Sequence, residues 1–291
     1  MNHDNSPADC RTHDNPAPSL PRSSCLPINR CNLPAVILGS LTFQRHPTDL
    51  FLDGVAEFHA NLFRRLDLIG DAAARGEAFR DYVTVHFRLE RLEDAGLDEQ
   101  NARDETGSSA KRVNANWMRT LRGWSFDADG REGAVLKGWV ESRFGLLPRF
   151  HGEALHDLSA PAYRRYLEMR SAGLYGTNAL EAQLDLLYAY CQYEFLRGPP
   201  RSHLRLYRGV NRLDEHEVLS DAGRRQTVLF NNLASFSTSR ERAGEFGDYI
   251  LAADVPTAKI FFHYALLPGV LKGEDEHLVI GGAYDVAIGT L

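Results

Sequence analysis

Apolar residues recur every three or four positions from about residue 49 to residue 197, which is the spacing of amphipathic helices. The pattern predicts five helices whose aromatic side chains belong to the core rather than to a base-stacking surface. Their apolar stripes are Phe51, Val55, Phe58, Leu62 and Leu66; Phe79, Tyr82, Val83 and Phe87; Val113, Trp117 and Leu121; Val135, Trp139 and Val140; and Leu180, Leu184, Leu187, Cys191 and Phe195.

The pattern changes after Pro200, where short runs rich in β-forming residues replace the helical stripes. LRLYRGV alternates, YILAADV and AKIFFHYALL are apolar, and LVIGGAYDVAIGTL predicts two strands around Gly281-Gly282. Helices followed by strands indicate an α+β protein. We therefore predict a helical region at residues 35–200 and a strand-rich region at residues 201–291, packed as one compact unit.

The first 34 residues have a different composition. They hold six of the 13 prolines together with Ser, Asn and Asp, which predicts a disordered tail over residues 1–34. The tail contains His and Cys residues that could ligate a metal, but no CxxC pair, so scattered thiols are favoured and no metal site is predicted. Those residues are His3, Cys10, His13, Cys25 and Cys31.

Composition and charge exclude several functional classes. The chain has 291 residues, 43% of them hydrophobic, and its net charge of −6 disfavours nucleic-acid binding, which needs a basic patch. Its apolar runs are too short to span a bilayer, and its start has no apolar signal core. We predict a cytoplasmic protein.

The acidic triplet Glu274-Asp275-Glu276 precedes the apolar segment LVI. If the triplet lies on a strand, Glu274 and Glu276 share one face, with Cα atoms roughly 7 Å apart, and Asp275 points to the other face. Paired carboxylates at this spacing suit the positive charge that develops when a glycosidic bond breaks. Taken alone, an acidic triplet is more typical of a solvated turn.

Two further motifs lie upstream. In LRLYRGV, Arg208 could bind a phosphate with two parallel hydrogen bonds, and Gly209 would let a ligand approach the backbone; an edge-strand arginine is the alternative. In FSTSRERAGEF, Thr238 and Glu241 fit a capping box, so a short helix is predicted there. That junction could hold a polar ligand or serve only as a cap.

The order of YRG, FSTS and EDE resembles the arginine-serine-glutamate class of mono-ADP-ribosyltransferases. From LPAVILGS to its end, the chain is similar to the dinitrogenase reductase ADP-ribosyltransferase family, whose members inactivate the iron protein of nitrogenase. The resemblance implies a split β-sandwich that binds NAD as substrate, preceded by helices. The strand-rich region at residues 201–291 would then be the catalytic core.

The resemblance also implies roles for individual residues. The implied catalytic set is Glu276, Glu274, Arg208 and Ser237. Glu276 would stabilise the ribose cation, and Glu274 would orient the acceptor arginine and accept a proton. Arg208 would anchor the ribose and phosphate region of NAD, and Ser237 would support the ribose and hold Glu276 in place. The implied NAD contacts are Arg208, Gly209, Ser237, Thr238, Ser239, Phe246 and Glu276. Implied partners are dinitrogenase reductase as protein substrate and a PII-type signalling protein as regulator. An NAD glycohydrolase and a non-catalytic NAD-binding protein are the alternatives.

Overall fold

The computed structural model describes residues 19–89, 116–175, 179–271 and 275–290, and helices dominate its first two-thirds. These helices are α1 (Ala35–Leu38), α2 (Leu41–Arg45), α3 (Val55–Phe58), α4 (Ala60–Asp67), α5 (Ala72–His86), α6 (Trp117–Phe126), α7 (Arg131–Phe144), α8 (Pro161–Leu174) and α9 (Leu180–Arg197). A small antiparallel ribbon of β1 (Phe150–His151) and β2 (Glu153–Ala154) lies between α7 and α8.

The strands follow α9. They are β3 (His203–Val210), β4 (Glu217–Ala222), β5 (Arg225–Ser237), β6 (Tyr249–Pro256), β7 (Ile260–His263) and β8 (Glu276–Thr290), with the short helix α10 (Arg240–Gly244) after β5. Helices first and antiparallel strands afterwards confirm the predicted α+β class.

All pairings in the six-stranded sheet are antiparallel, and β8 is at its centre. Along one edge β8 pairs with β5; along the other, its first residues pair with β7 and its last residues with β6. Strand β3 pairs with β6 along its length and meets β5 where Tyr207 lies opposite Ser237. Because Ser237 also lies opposite Glu276, the three motif strands converge at one place.

The side chain of Gln44 joins helix α2 to the sheet beyond the last β6–β8 pair. The Gln44 amide nitrogen donates to the carbonyl oxygens of Asp254 and Asp285, each at 3.2 Å, and its oxygen accepts from the Asp285 N–H at 2.7 Å. The buried amide therefore occupies the fork between two diverging strands and satisfies backbone groups that have lost their ladder partners.

The chain closes with one strand, not with the two predicted around Gly281-Gly282. Strand β8 continues through both glycines, opposite a register shift between Phe230 and Leu233. A Cβ at Gly281 would lie 1.8 Å from the Asn231 carbonyl oxygen, and Gly282 has φ +118°. These glycines therefore serve a bulge and a close backbone approach rather than a turn.

Only some of the residues in the predicted helical stripes are buried in the core. Phe79 and Val83 on α5 are buried, as are the stripe on α7 and Leu180, Leu184, Leu187 and Cys191 on α9. The first stripe is wrong as one face, because α3 and α4 are separate helices. Leu62 and Leu66 are buried there, but Phe51 and Phe58 are 55% and 75% exposed. Val113 lies outside the described residues.

The core extends from the helices into the sheet. The rings of Trp139 on α7 and Phe261 on β7 lie 4.6 Å apart, and the Tyr188 hydroxyl on α9 donates to the Ala258 carbonyl at 2.8 Å. The predicted tail over residues 1–34 is too long, because Leu20 and Cys31 are buried in this core. Among the described residues, no helix has an apolar stretch long enough to cross a bilayer.

Candidate active site

Arg208 lies on β3 beside the point where this strand meets β5. Its Nη1 donates to the Ser235 carbonyl oxygen at 2.8 Å, and its Nε donates to His216 Nε2 at 3.3 Å. Burial lowers the pKa of the guanidinium, while the carboxylates of Glu215 and Asp129 act in the opposite direction. A partly buried cation is thus held against the strand that carries the serines.

Glu276 is the first residue of β8, and both of its carboxylate oxygens accept a hydroxyl hydrogen bond. Ser235 Oγ donates to Oε1 and Ser125 Oγ donates to Oε2, each at 2.8 Å. Ser235 therefore links two motifs, since its carbonyl accepts from Arg208 and its hydroxyl donates to Glu276. The indole nitrogen of Trp124 donates to the same Ser235 hydroxyl at 2.9 Å.

The Ser237-Thr238-Ser239 motif joins β5 to α10. Ser237 is buried directly opposite Glu276 in the sheet, and its hydroxyl accepts from the Ser239 N–H at 3.0 Å. Ser239 caps α10 by accepting from the Arg242 N–H at 3.2 Å, and its hydroxyl donates to the Glu241 carboxylate. The short helix is confirmed, but the cap is Ser239 rather than the predicted Thr238, which is exposed.

Two other predicted contact residues lie beside α10. A Cβ on Gly209 would lie 1.9 Å from the Ala243 carbonyl oxygen, so α10 itself makes the close backbone approach that the sequence analysis assigned to a ligand. Phe246, which follows α10, is 71% exposed. Arg208, Ser237 and Glu276 are thus brought together, and Gly209 and Phe246 flank them on the side of this helix.

The predicted face-sharing of the acidic triplet rests on an extended backbone that the structure does not have. Strand β8 begins at Glu276, and the preceding Asp275 has a left-handed backbone with φ +63°, so Asp275 does not extend the strand. A hydrogen bond from the Tyr264 hydroxyl to the Asp275 side chain raises the pKa of the tyrosine. Glu274 itself lies outside the described residues.

The residues that contact Glu276 and orient Arg208 were not predicted from the sequence. Ser235 lies two positions before Ser237 on the same strand, so period-two alternation could have suggested it. Trp124 continues the stripe of Trp117 and Leu121 and, like them, is buried. A buried indole N–H needs a hydrogen-bond acceptor, but the amino-acid sequence does not identify the acceptor of Trp124. No local pattern identified Ser125 or His216.

A buried lysine lies over the ring of Trp124. Lys137 Nζ is 5.8 Å from the Trp124 ring centroid and donates to Asp129 Oδ1 at 2.7 Å and to the Phe150 carbonyl at 3.1 Å. Burial lowers its pKa, opposed by Asp129. After Glu215, Asp129 also raises the pKa of the partly buried Arg208, so one carboxylate acts on both cations. No three His, Cys, Asp or Glu side chains form a metal-binding group within the described ranges.

The contact of His216 with Arg208 predicts a pH-dependent stability. Burial, followed by Arg208, lowers the pKa of His216 to about 3, whereas an unfolded histidine titrates near 6.5. Between these values the unfolded chain binds a proton that the folded protein excludes, so stability is complete above pH 6.5 and falls towards pH 3. His216→Gln removes this titrating group. The slope of the unfolding free energy against pH should therefore be smaller in the variant than in the wild type, by up to about 1.4 kcal/mol per pH unit.

Urea unfolding of both proteins at pH 7, 6 and 5 measures this difference in slope. His59, His151 and His263 also have lowered pKa values, and both proteins share their contributions. Equal slopes would show that His216 is protonated in the folded protein.

Comparisons with known proteins agree on one family. A family model described as dinitrogenase reductase ADP-ribosyltransferase (DRAT) matches residues 28–288, a range that contains the whole cluster. The NAD(+)–dinitrogen-reductase ADP-D-ribosyltransferase of Rhodospirillum rubrum is 41% identical over 260 residues, covering 88% of this chain and 92% of that protein. No solved structure matches the chain at a significant level.

Proposed function

Because this chain belongs to the dinitrogenase reductase ADP-ribosyltransferase family, we propose that it transfers ADP-ribose from NAD to an arginine of dinitrogenase reductase. One observation within the site carries the proposal. Ser235 joins the motif arginine to the motif glutamate through two hydrogen bonds of 2.8 Å. A cation suited to the NAD diphosphate therefore lies next to a carboxylate suited to the ribose.

In this reaction the bond between nicotinamide nitrogen and ribose C1′ breaks, and a bond forms from C1′ to a guanidinium nitrogen of the acceptor. The bonding electrons leave with nicotinamide, which becomes neutral, and positive charge develops on the ribose. The carboxylate of Glu276 would stabilise that charge. The acceptor nitrogen loses a proton, for which Glu274 is the proposed base.

The remaining residues would form the walls of the NAD site. By resemblance, Arg208 binds the ribose and phosphate region, and the Gly209 backbone meets the nicotinamide amide. Ser237, Thr238, Ser239 and Phe246 complete the proposed contacts. We also propose that the sheet is the split β-sandwich of the mono-ADP-ribosyltransferases. The pairing of β8 with β7 at one end and β6 at the other supports this.

Dinitrogenase reductase is named as the substrate of the Rhodospirillum relative, which supports the same acceptor here. We also propose that the reaction takes place in the cytoplasm, which the two proposed substrates, NAD and the iron protein, support. We propose the helical region, residues 35–200, as the surface for a PII-type regulator, because the strands carry the reaction. Calorimetric titration of the full chain with a PII protein tests this, and absence of binding with and without ADP or ATP would contradict it.

The acceptor step can be tested with purified iron protein and NAD labelled in the adenylate moiety. Transfer predicts label retained on the iron protein together with released nicotinamide. Nicotinamide release without retained label would indicate an NAD glycohydrolase. NAD binding in a calorimeter without nicotinamide release would indicate a non-catalytic binding protein.

Glu274→Gln separates transfer from hydrolysis. We expect the rate of arginine modification to fall roughly 100-fold or more in this variant, and NAD hydrolysis to remain. An arginine acceptor must lose a proton from its guanidinium, whereas hydrolysis uses water and has no guanidinium to deprotonate. Both rates are measured on the same preparations. Equal losses of both activities would place Glu274 in the chemistry at C1′ instead of at the acceptor.

A further inference from the structure

Two serines from different parts of the chain hold the Glu276 carboxylate. Ser235 lies on β5 and Ser125 lies on α6, which is 151 residues before Glu276 in the sequence. A serine hydroxyl has one proton to donate, and in each case that proton goes to Glu276. Each carboxylate oxygen keeps a second lone pair for a ligand hydroxyl.

Trp124 fixes the direction of the Ser235 hydroxyl. Its indole N–H donates to Ser235 Oγ at 2.9 Å, so the hydroxyl oxygen is occupied by one donor and its proton points to Glu276. The indole cannot rotate freely, because Trp124 is only 3% exposed and lies in the same buried cluster as Trp117 and Leu121. Two hydrogen bonds in series, each with a fixed direction, therefore lead from Trp124 through Ser235 to Glu276.

Glu276 needs such restraint because of its place in the strand. It is the first residue of β8, and the preceding Asp275 has left-handed backbone. Because Asp275 is not extended, the strand geometry before Glu276 does not fix the direction in which its carboxylate enters the site. Ser237, the serine that the family resemblance assigns to this task, uses its hydroxyl oxygen to accept from the Ser239 backbone instead.

We propose that helix α6 positions the catalytic carboxylate, with Trp124 acting through Ser235 and with Ser125 acting directly. This inference rests on the proposed function, since it assigns Glu276 to the reaction. Trp124, Ser235 and Ser125 are positioning residues, because they orient the Glu276 carboxylate towards the ribose. Ser125 is exposed, so water replaces much of its contribution.

Removal of the donors should lower kcat and leave the KM for NAD nearly unchanged. We expect Ser235→Ala and Trp124→Phe to reduce kcat for nicotinamide release roughly 10- to 100-fold, because a small displacement of a catalytic group has effects of this size. Ser125→Ala should reduce kcat about threefold, because water can replace the exposed donor. Ser235→Thr, which keeps the hydroxyl, should recover most of the lost rate.

A double substitution distinguishes positioning from general damage. In a Glu276→Asp background the carboxylate is withdrawn from both serines, so adding Ser235→Ala should change kcat by less than about threefold. Ser171→Ala on an exposed face of α8 is the serine control. Trp139→Phe is the tryptophan control, since it loses an indole hydrogen bond to Asp185 in the core. Melting curves identify variants that fail to fold.

The outcomes separate this inference from the function on which it depends. If Glu276→Gln is inactive while Ser235→Ala and Trp124→Phe have wild-type kcat, helix α6 has no positioning role and the proposed function stands. If Ser235→Ala costs as much in the Glu276→Asp background as alone, Ser235 does not act through Glu276. If Glu276→Gln keeps normal activity, the assignment of Glu276 itself is wrong.

Discussion

Glu276→Gln should lower ADP-ribose transfer roughly 1,000-fold or more, a loss comparable to about 4 kcal/mol of transition-state stabilisation. The amide has nearly the shape of the carboxylate but lacks the negative charge that, in the proposed mechanism, stabilises the forming ribose cation. Its oxygen still accepts from one of the two serine hydroxyls, so the local structure should persist. Fold and NAD affinity should therefore stay close to wild type.

Three measurements test this together: label incorporated into the iron protein, NAD binding by calorimetry, and the melting temperature. Glu168→Gln on the exposed surface of α8 is the matched control and should behave as wild type. Transfer at the normal rate by Glu276→Gln would remove the carboxylate from the mechanism. A large drop in melting temperature would instead indicate a structural role.

Lys259→Met should stabilise the protein by roughly 4 kcal/mol at pH 7, an unusually large gain for one substitution. Lys259 is 0% exposed, and its Nζ lies 4.5 Å above the Tyr284 ring centroid. Among the described residues this nitrogen has no hydrogen-bond partner. Burial lowers the pKa of Lys259 from 10.5 to about 7, so at neutral pH folding must either bury a charge or release a proton.

The gain should depend on pH with a definite sign. Below pH 7 the folded and unfolded lysines are both protonated, and the cost of burying the charge is complete. Between pH 7 and 10.5 the unfolded chain binds more protons, so the wild type becomes relatively more stable as pH rises. Methionine, which is unbranched and apolar, can fill the space without this cost.

Urea unfolding at pH 7 and pH 9.5 checks both the size and the trend of this effect. At pH 9.5 the advantage of Lys259→Met should shrink to roughly 1–2 kcal/mol. Lys137→Met offers a contrast, because Lys137 is also buried but donates to Asp129 and to a carbonyl; this change should destabilise the protein by leaving those acceptors unpaired. A loss of stability in Lys259→Met would mean that the ammonium has a compensating partner in solution.

Much of the fold was predictable because it depends on local periodicity. The stripes on α5, α7 and α9 marked buried faces, and the change of pattern after Pro200 separated helices from strands. The first stripe failed because a three- and four-residue spacing does not reveal that the chain turns between α3 and α4. Gly281 and Gly282 suggested a turn, although a backbone approaching from another segment is what requires them.

The candidate site divides in the same way. The sequence by itself determined the arginine, serine and glutamate motifs, their order, and the family to which the chain belongs. Only the tertiary structure decided that Ser235 and Ser125, not Ser237, donate to Glu276, and that His216 accepts from Arg208. Periodicity is set by neighbours within a few residues and shows which face a side chain occupies. The choice of a hydrogen-bond partner 41 or 151 residues away depends on the strand register and on where α6 packs. Neither the register nor the position of α6 can be predicted from a short-range sequence pattern.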